Sequence, residues 1–191
     1  MLTDLTRQSL AGLRILFVLT VLLGVVYPLT VWVAGRALAD RADGQPLTVD
    51  GEVVGSRLLG QSFEGEQWFH SRPSANDYDA LASAPSNLGP TNPDLLAAIE
   101  QRRAEVAAFE KAAPDAVPAD ALTASGSGLD PHISLAYAML QADRVAEANG
   151  LSTDEVRELV EESTDGPILG FLGVEGVNVL ELNIAVQHAA R

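Results

Sequence analysis

The 191-residue chain contains no cysteine. This absence excludes disulfide bonds, thiol catalysis and cysteine-ligated zinc, so the fold depends on its apolar core. Lysine occurs once, at Lys111. A lysine that follows Glu110 fits neither the Walker A phosphate loop nor the phosphorylation motif Asp-Lys-Thr-Gly. The sequence therefore contains no motif for ATP hydrolysis.

Basic residues are scarce, with 12 Lys and Arg against 26 Asp and Glu. Residues 37–191 hold nine of the basic and 25 of the acidic side chains, a formal net charge of −16. Such a charge excludes nucleic acid as a partner, because binding to phosphates requires cationic side chains. It would concentrate cations near the surface, although the composition alone favours solubility or a salt-adapted host as the explanation.

One long apolar run is present near the N-terminus. The stretch "ILFVLTVLLGVVYPLTVWVA", Ile15 to Ala34, carries no charge, and 20 helical residues span roughly 30 Å, the thickness of a bilayer core. The sequence predicts a transmembrane anchor over residues 15–36. The alternative is a signal peptide cleaved after Ala37-Leu38-Ala39, but its apolar region would be only about 7 to 15 residues long.

The charges around this run predict its orientation. Arg7 and Arg14 precede it, which places residues 1–14 in the cytoplasm and residues 37–191 outside the cell membrane. Within the run, Gly24 and Pro28 lie one helical turn apart. Because a small residue lets a neighbouring helix approach closely, these two positions are predicted to pack against a partner helix.

The remainder is predicted to form one α+β domain with a small sheet and about three helices. Helices are expected from an Asn92-Pro93 cap to about Lys111, from an Asp130-Pro131 cap to Asn149-Gly150, and from Ser152, with Glu155 in a capping box, to about Ser163. Short strands are expected within residues 47–69. Alternating apolar residues predict another strand near the C-terminus, at Leu180, Leu182, Ile184 and Val186.

Between the predicted strands and the first helix lies "SRPSANDYDALASAPSNLGPTNP", Ser71 to Pro93. A segment of this length without regular structure is uncommon inside a compact domain, and indicates a functional or partner-ordered loop. A plain surface loop is the alternative.

Two further patterns bear on chemistry. The run "SGSGLDPHIS", Ser125 to Ser134, resembles a phosphate-binding loop before a helix, but Asp130 would cap the helix itself and repel a phosphate. The three histidines, His70, His132 and His188, lack the spacing of a metal site. No catalytic residue and no metal ligand is therefore predicted.

Four stretches, taken together and in this order, carry a family resemblance: "GQSFEGEQWFHSRPSA", "SNLGPTNPDL", "TASGSGLDPHISLAYA" and "GVNVLELNIAV". From about residue 10 to its end, the chain resembles the C subunit of the Kdp potassium-transporting P-type ATPase. The resemblance implies an accessory subunit beside a channel-like potassium-binding subunit, a catalytic P-type subunit and a small single-span subunit. ATP, magnesium and potassium would then be bound by those partners, and this chain would bind no cofactor of its own.

The same resemblance implies a catalytic chaperone that raises the ATP affinity of the catalytic subunit. Gln141 and Arg144 are the residues that would then contact nucleotide. The predicted topology disagrees, because ATP is cytoplasmic and these residues would lie outside, so an indirect effect is favoured.

The loop from Ser71 to Pro93 is expected to dock on the channel-like subunit. Arg72 is the central residue of this expectation, because a planar cation with five donors suits a carboxylate or carbonyl cluster on a partner. The predicted partner-binding residues are Arg72, Pro73, Ser74, Asn87, Gly89, Pro90 and Asn92. The alternatives are a membrane-anchored extracytoplasmic ligand-binding module, whose loop would hold a small ligand, and a membrane-anchored hydrolase.

Overall fold

The computed structural model describes residues 2–191 and divides the chain into two compact units, one ending at Gln45 and one from Pro46 to Arg191. The first unit is helical. It contains α1 (Leu2–Val21), a π-helical turn (Leu22–Val26), α2 (Tyr27–Arg36) and the short α3 (Ala39–Ala42). Over Thr3–Arg36 the described chain has one helix that is long and apolar enough to cross a membrane.

The π-helical turn ends two residues before Pro28, which lies in the first turn of α2. Proline has no N–H, and its ring clashes with the carbonyl four residues earlier, which here belongs to Gly24. The turn widens the helix just before this point, and the N–H of Tyr27 bonds the carbonyl of Leu22, five residues back. The helix thus accommodates Pro28 by inserting one π turn before it.

The second unit contains both strands and helices, so the α+β prediction is confirmed. Its strands are β1 (Pro46–Val49), β2 (Glu52–Ser56), β3 (His132–Ile133), β4 (Thr164–Asp165) and β5 (Gly176–Asn178). Its helices are α4 (Pro93–Phe109), α5 (Ala119–Leu122), α6 (Leu135–Asn149), α7 (Thr153–Glu162) and α8 (Val179–Ala189), with a 3-10 turn at Pro114–Ala116.

The strands form two small antiparallel sheets. β1 and β2 make a hairpin, closed by Asp50 and Gly51, which both have positive φ as tight hairpin turns require. β5 lies between β3 and β4 in the other sheet. The strands predicted within residues 47–69 are confirmed up to Ser56, as β1 and β2, whereas residues 57–69 contain no strand.

Most predicted helix boundaries are confirmed. The Asn92 side chain caps α4 by accepting bonds from the N–H groups of Asp94 and Leu95. Gly150 ends α6 in a left-handed conformation, and Ser152 with Glu155 forms the capping box of α7.

The predicted cap of α6 at Asp130 is wrong. The cap lies four residues later, at Ser134, whose side chain accepts a bond from the N–H of Tyr137, and the helix begins at Leu135. Residues 132–133 pair with β5 instead, and a strand cannot share the dihedral angles of a helix.

The predicted C-terminal strand is also wrong, because residues 179–189 form α8. The buried residues of this helix include Val179, Leu182, Asn183 and Val186, which recur at helical spacing. Leu180 and Ile184 produced the apparent alternation, but a helix buried on a wide face also carries apolar residues at such positions.

The core lies between these helices and the sheet of β3, β5 and β4. Its fully buried residues include Phe69, Val145, Val156, Val177 and Leu182. Val156 and Val160 of α7 are buried in this core, and Leu159 packs partly buried against the same cluster.

Candidate partner-binding surface

The first half of the predicted docking loop, residues 71–83, packs against residues 123–130. The N–H of Ser125 bonds the carbonyl of Pro73 at 3.1 Å, and the Ser74 hydroxyl donates to the carbonyl of Gly128 at 2.8 Å. Gly128 has a φ of +69°, and a Cβ there would lie 2.0 Å from Oδ1 of Asn76. The glycine-rich residues 125–128 therefore form the surface against which this part of the loop packs.

Arg72 lies within this contact. Its Nη1 is 3.0 Å from Oδ2 of Asp130, and its Nε is buried without a hydrogen-bond partner in the described chain. About a quarter of the side chain is exposed. Residues 71–83 of the loop are therefore held on their own domain by these contacts.

The other predicted docking residues divide into two groups. Asn92 is occupied as the cap of α4. Asn87, Gly89 and Pro90 are exposed, and a Cβ at Gly89 would meet nothing within 4 Å. The structure thus brings Arg72, Pro73 and Ser74 into the domain and leaves residues 86–90 open to solvent.

A row of charged groups extends from Arg72 across the domain. Nδ1 of His132 lies 3.8 Å from Oδ1 of Asp130, and Nε2 lies 3.8 Å from Oδ2 of Asp165. Asp165 in turn pairs with Nη2 of Arg57 at 2.9 Å. The hydrogen bond to Asp130 raises the pKa of His132, because together with the charge of Asp165 it outweighs burial and the repulsion from Arg57.

The stability of the protein should depend on pH through His132. A raised pKa in the folded state gives a contribution that is complete below the unfolded value of about 6.5 and is lost as pH rises through the folded value. We expect the free energy of unfolding to fall over this interval. Urea titrations of the full chain in detergent at several pH values, compared with His132→Gln, would measure it.

His70 contributes with the opposite sign, because burial lowers its pKa and the nearby Arg144 adds to the effect. Its contribution is lost as pH falls below about 6.5. The difference between the wild-type and His132→Gln profiles isolates His132, since both proteins retain His70. A constant difference across the interval would contradict the assignment.

Buried carboxamides hold the irregular segment 57–70, which the sequence patterns did not reveal. Asn183 accepts a bond from the N–H of Phe69 at 2.8 Å and donates to its carbonyl at 3.0 Å. Gln141 makes the same two bonds with His70, at 2.7 and 3.2 Å. Asn178 donates to the carbonyl of Arg57 at 2.8 Å. These side chains supply the hydrogen bonds that a neighbouring strand would otherwise provide.

Arg144 is at the centre of a second buried network. Its guanidinium forms two parallel bonds with Glu110, Nε to Oε2 at 2.9 Å and Nη2 to Oε1 at 3.0 Å. Nη1 donates to the carbonyls of Glu66 and Trp68, and Nη2 also donates to Gln141. The side chains of Arg144 and Glu110 are 8% and 2% exposed.

This geometry bears on the nucleotide contact that the resemblance implied. All five N–H groups of Arg144 are used inside the domain, and Gln141 has no exposed surface. In this conformation Arg144 has no donor free for a phosphate, and the Gln141 amide, which donates to the carbonyl of His70, is buried where a phosphate would not reach it. Burial raises the pKa of Glu110, although Arg144 acts in the opposite direction.

A cleft of about 280 Å³ opens beside this network. It is lined by His70, Glu105, Val106, Phe109, Glu110 and Tyr137. The rings of His70 and Phe109 stack at 5.2 Å. Small-molecule sites have volumes of about 300 to 1,000 Å³ and direct several polar groups at the ligand, whereas Glu110 is already paired with Arg144. The cleft therefore gives little support to a ligand-binding module.

The two residues predicted for helix packing both lie at the π-helical turn. Gly24 is within the turn and Pro28 follows it in α2. A Cβ at Gly24 would meet nothing within 4 Å, so this face of the helix is open within its own unit.

Comparison with known proteins assigns the chain to a family. The family model described as "KdpC: K+-transporting ATPase, c chain" matches residues 9–188. The chain belongs to the KdpC family. The resemblance found in the four sequence stretches is thereby confirmed over nearly the whole length.

Individual relatives agree with this membership. A potassium-transporting ATPase KdpC subunit of Kineococcus radiotolerans is 58% identical, covering 99% of this chain and 97% of the relative. The subunits of that name from Mycobacterium bovis and Cereibacter sphaeroides are 49% and 47% identical, covering 95% and 99% of this chain and 98% and 99% of their own. The KdpC-family chain therefore matches these relatives over nearly their whole length.

Proposed function

We propose that this chain is a non-catalytic accessory subunit of the ATP-driven, high-affinity potassium uptake pump, in which it stabilises the assembled complex. The observation that carries the proposal is the family match over residues 9–188. The channel-like, catalytic and single-span subunits are the proposed partners. The absence of Walker A and Asp-Lys-Thr-Gly motifs from the sequence supports a role outside ATP hydrolysis.

The proposal includes a single-pass anchor with the domain outside the cell. The apolar helix over Thr3–Arg36 supports the anchor, and the arginines at positions 7 and 14 support a cytoplasmic N-terminus. The open face at Gly24 would receive a helix of a partner subunit.

The chain's lack of cysteine permits a direct test of this orientation, because a single introduced thiol has no background. We expect a membrane-impermeant maleimide to label Ala148→Cys, at an exposed position of α6 outside the proposed docking loop, in intact spheroplasts. Ser9→Cys should be labelled only after permeabilisation. Labelling of both variants after permeabilisation is the control for reactivity. The reverse pattern would overturn the topology.

Assembly is tested separately, by purifying the tagged chain from membranes in mild detergent. Co-purification of a potassium-stimulated ATPase supports the accessory-subunit role, and recovery of the chain alone contradicts it. Any effect on ATP affinity would be indirect, since Gln141 and Arg144 are buried and paired. The KM for ATP of complexes with and without this chain measures that effect.

Docking by the loop from Ser71 to Pro93 stays part of the proposal, but the proposed contact shifts from Arg72 to residues 86–90. Arg72 is paired with Asp130 in the domain, whereas residues 86–90 are exposed. Asn87, Gly89 and Pro90 are therefore the residues that we propose contact the channel-like subunit.

A further inference from the structure

The loop between β4 and β5 exposes a concentrated apolar surface. We name residues 166–174, "GPILGFLGV", the apolar tip. Its exposed large side chains are Ile168, Leu169, Phe171, Leu172 and Val174, each with between 51% and 91% of its surface accessible. Single exposed apolar residues are ordinary, but a contiguous group on a soluble surface indicates an interaction site.

The apolar tip is folded in spite of its exposure. The N–H of Ile168 bonds the carbonyl of Leu172 at 2.8 Å, and the N–H of Leu172 bonds the carbonyl of Ile168 at 3.0 Å. Leu169 has a φ of +56°, a conformation that costs a bulky residue energy and that persists only when surrounding structure supports it. The tip thus forms internal backbone hydrogen bonds and leaves its apolar side chains exposed.

Acidic residues surround the apolar tip along the chain. Glu175 follows it, Asp165 precedes it, and Glu161 and Glu162 end α7 just before. Within the described residues 2–191, only Asp165 of these four forms an ion pair, with Arg57 and the neighbouring His132. The apolar tip itself contains no Lys or Arg.

This combination identifies the partner by its chemistry. Segments that enter lipid interfaces combine apolar side chains with Lys or Arg, which attract anionic lipids. The apolar tip has no basic residue, and Asp165 and Glu175 flank it. A second copy of the chain would bring the same acidic flanks together, at a cost in repulsion. We propose that the apolar tip docks into an apolar pocket with a basic rim on the extracytoplasmic side of another subunit of the potassium-transporting complex.

This inference rests on the proposed function, and it adds a docking element separate from residues 71–93. Buried aromatic and aliphatic anchors contribute most of the energy of protein interfaces. Phe171 and Leu169 would be those anchors, and the flanking glutamates would steer the encounter with the basic rim.

The test uses the full-length chain in membranes. The double variant Leu169→Ser/Phe171→Ser is expected to lower retention of the chain in the detergent-solubilised complex by about tenfold, with an unchanged melting temperature of the isolated chain. The matched control is Val53→Thr/Val54→Thr on the β1–β2 hairpin, where both side chains are also exposed. This control should be retained like the wild type.

A photoreactive residue at position 171 identifies the occupant. A crosslink to another subunit of the transporter supports the inference, whereas crosslinks only to lipid or to a second copy overturn it. Wild-type retention of Leu169→Ser/Phe171→Ser also overturns it while leaving the proposed function intact. If the wild-type chain itself fails to co-purify with the ATPase, the proposed function fails first.

Discussion

Replacing Arg144 with methionine is expected to lower the free energy of unfolding by about 3 to 5 kcal/mol, because the change leaves Glu110 buried without its counter-charge. Glu110 is 2% exposed and accepts both parallel bonds of the pair. The carbonyls of Glu66 and Trp68 would lose their donors as well. Urea or thermal unfolding of the full chain in detergent measures the effect.

Two further variants test whether the loss comes from an unpaired buried charge. Lys111→Met removes the pair between Lys111 and Glu147, whose side chains are largely exposed, at 79% and 77%, and should change stability by less than about 0.5 kcal/mol. The double variant Arg144→Met/Glu110→Met leaves no unpaired charge and should recover part of the loss. A single Arg144→Met variant within about 1 kcal/mol of the wild type would show that the network is not needed for stability.

Asn183→Leu is expected to cost about 2 to 4 kcal/mol, although leucine is apolar and of broadly similar size to asparagine. The change leaves both the N–H and the carbonyl of Phe69 buried without partners, and each unsatisfied group costs about 1 to 3 kcal/mol. A simple ranking by hydrophobicity predicts that Asn183→Leu raises the free energy of unfolding. The measurement therefore distinguishes the loss of hydrogen bonds from the gain of apolar burial.

The matched control for Asn183→Leu is Asn149→Ala. The Asn149 carboxamide donates to Gln67 in the same irregular segment at 2.9 Å, but this bond is exposed. Water can replace it, so the cost should stay below about 1 kcal/mol. Equal losses for the two variants would rule out burial of the backbone of Phe69 as the cause.

The sequence by itself predicted the features that depend on residues close together in the chain. The caps at Asn92 and Ser152 and the end of α6 at Gly150 were predicted because each involves bonds within about five residues. The apolar run from Ile15 to Ala34 was predicted for a similar reason, since length and composition decide it. The four family stretches were sufficient to indicate the KdpC family, because their order and spacing are properties of the sequence alone.

Two local predictions failed because tertiary contacts outweighed the local pattern. Asp130 has the residue type of a helix cap, but pairing of residues 132–133 with β5 delays the start of α6 to Leu135. Residues 180–186 alternate like a strand, yet burial of Val179, Leu182, Asn183 and Val186 on one side stabilises a helix there.

The sequence alone determined the composition, the apolar run with its flanking charges, the helix caps and the family. Only the tertiary structure decided how far the side chains of Arg144, Gln141 and Arg72 are buried and which residues they pair with. These are polar residues of types usually found on a surface. Their partners, Glu110, His70 and Asp130, lie 34, 71 and 58 residues away. The apolar tip lies at the opposite extreme, since its side chains are of types usually found in a core but remain exposed. Burial depends on contacts between distant parts of the chain, and residue type indicates only which groups need a partner.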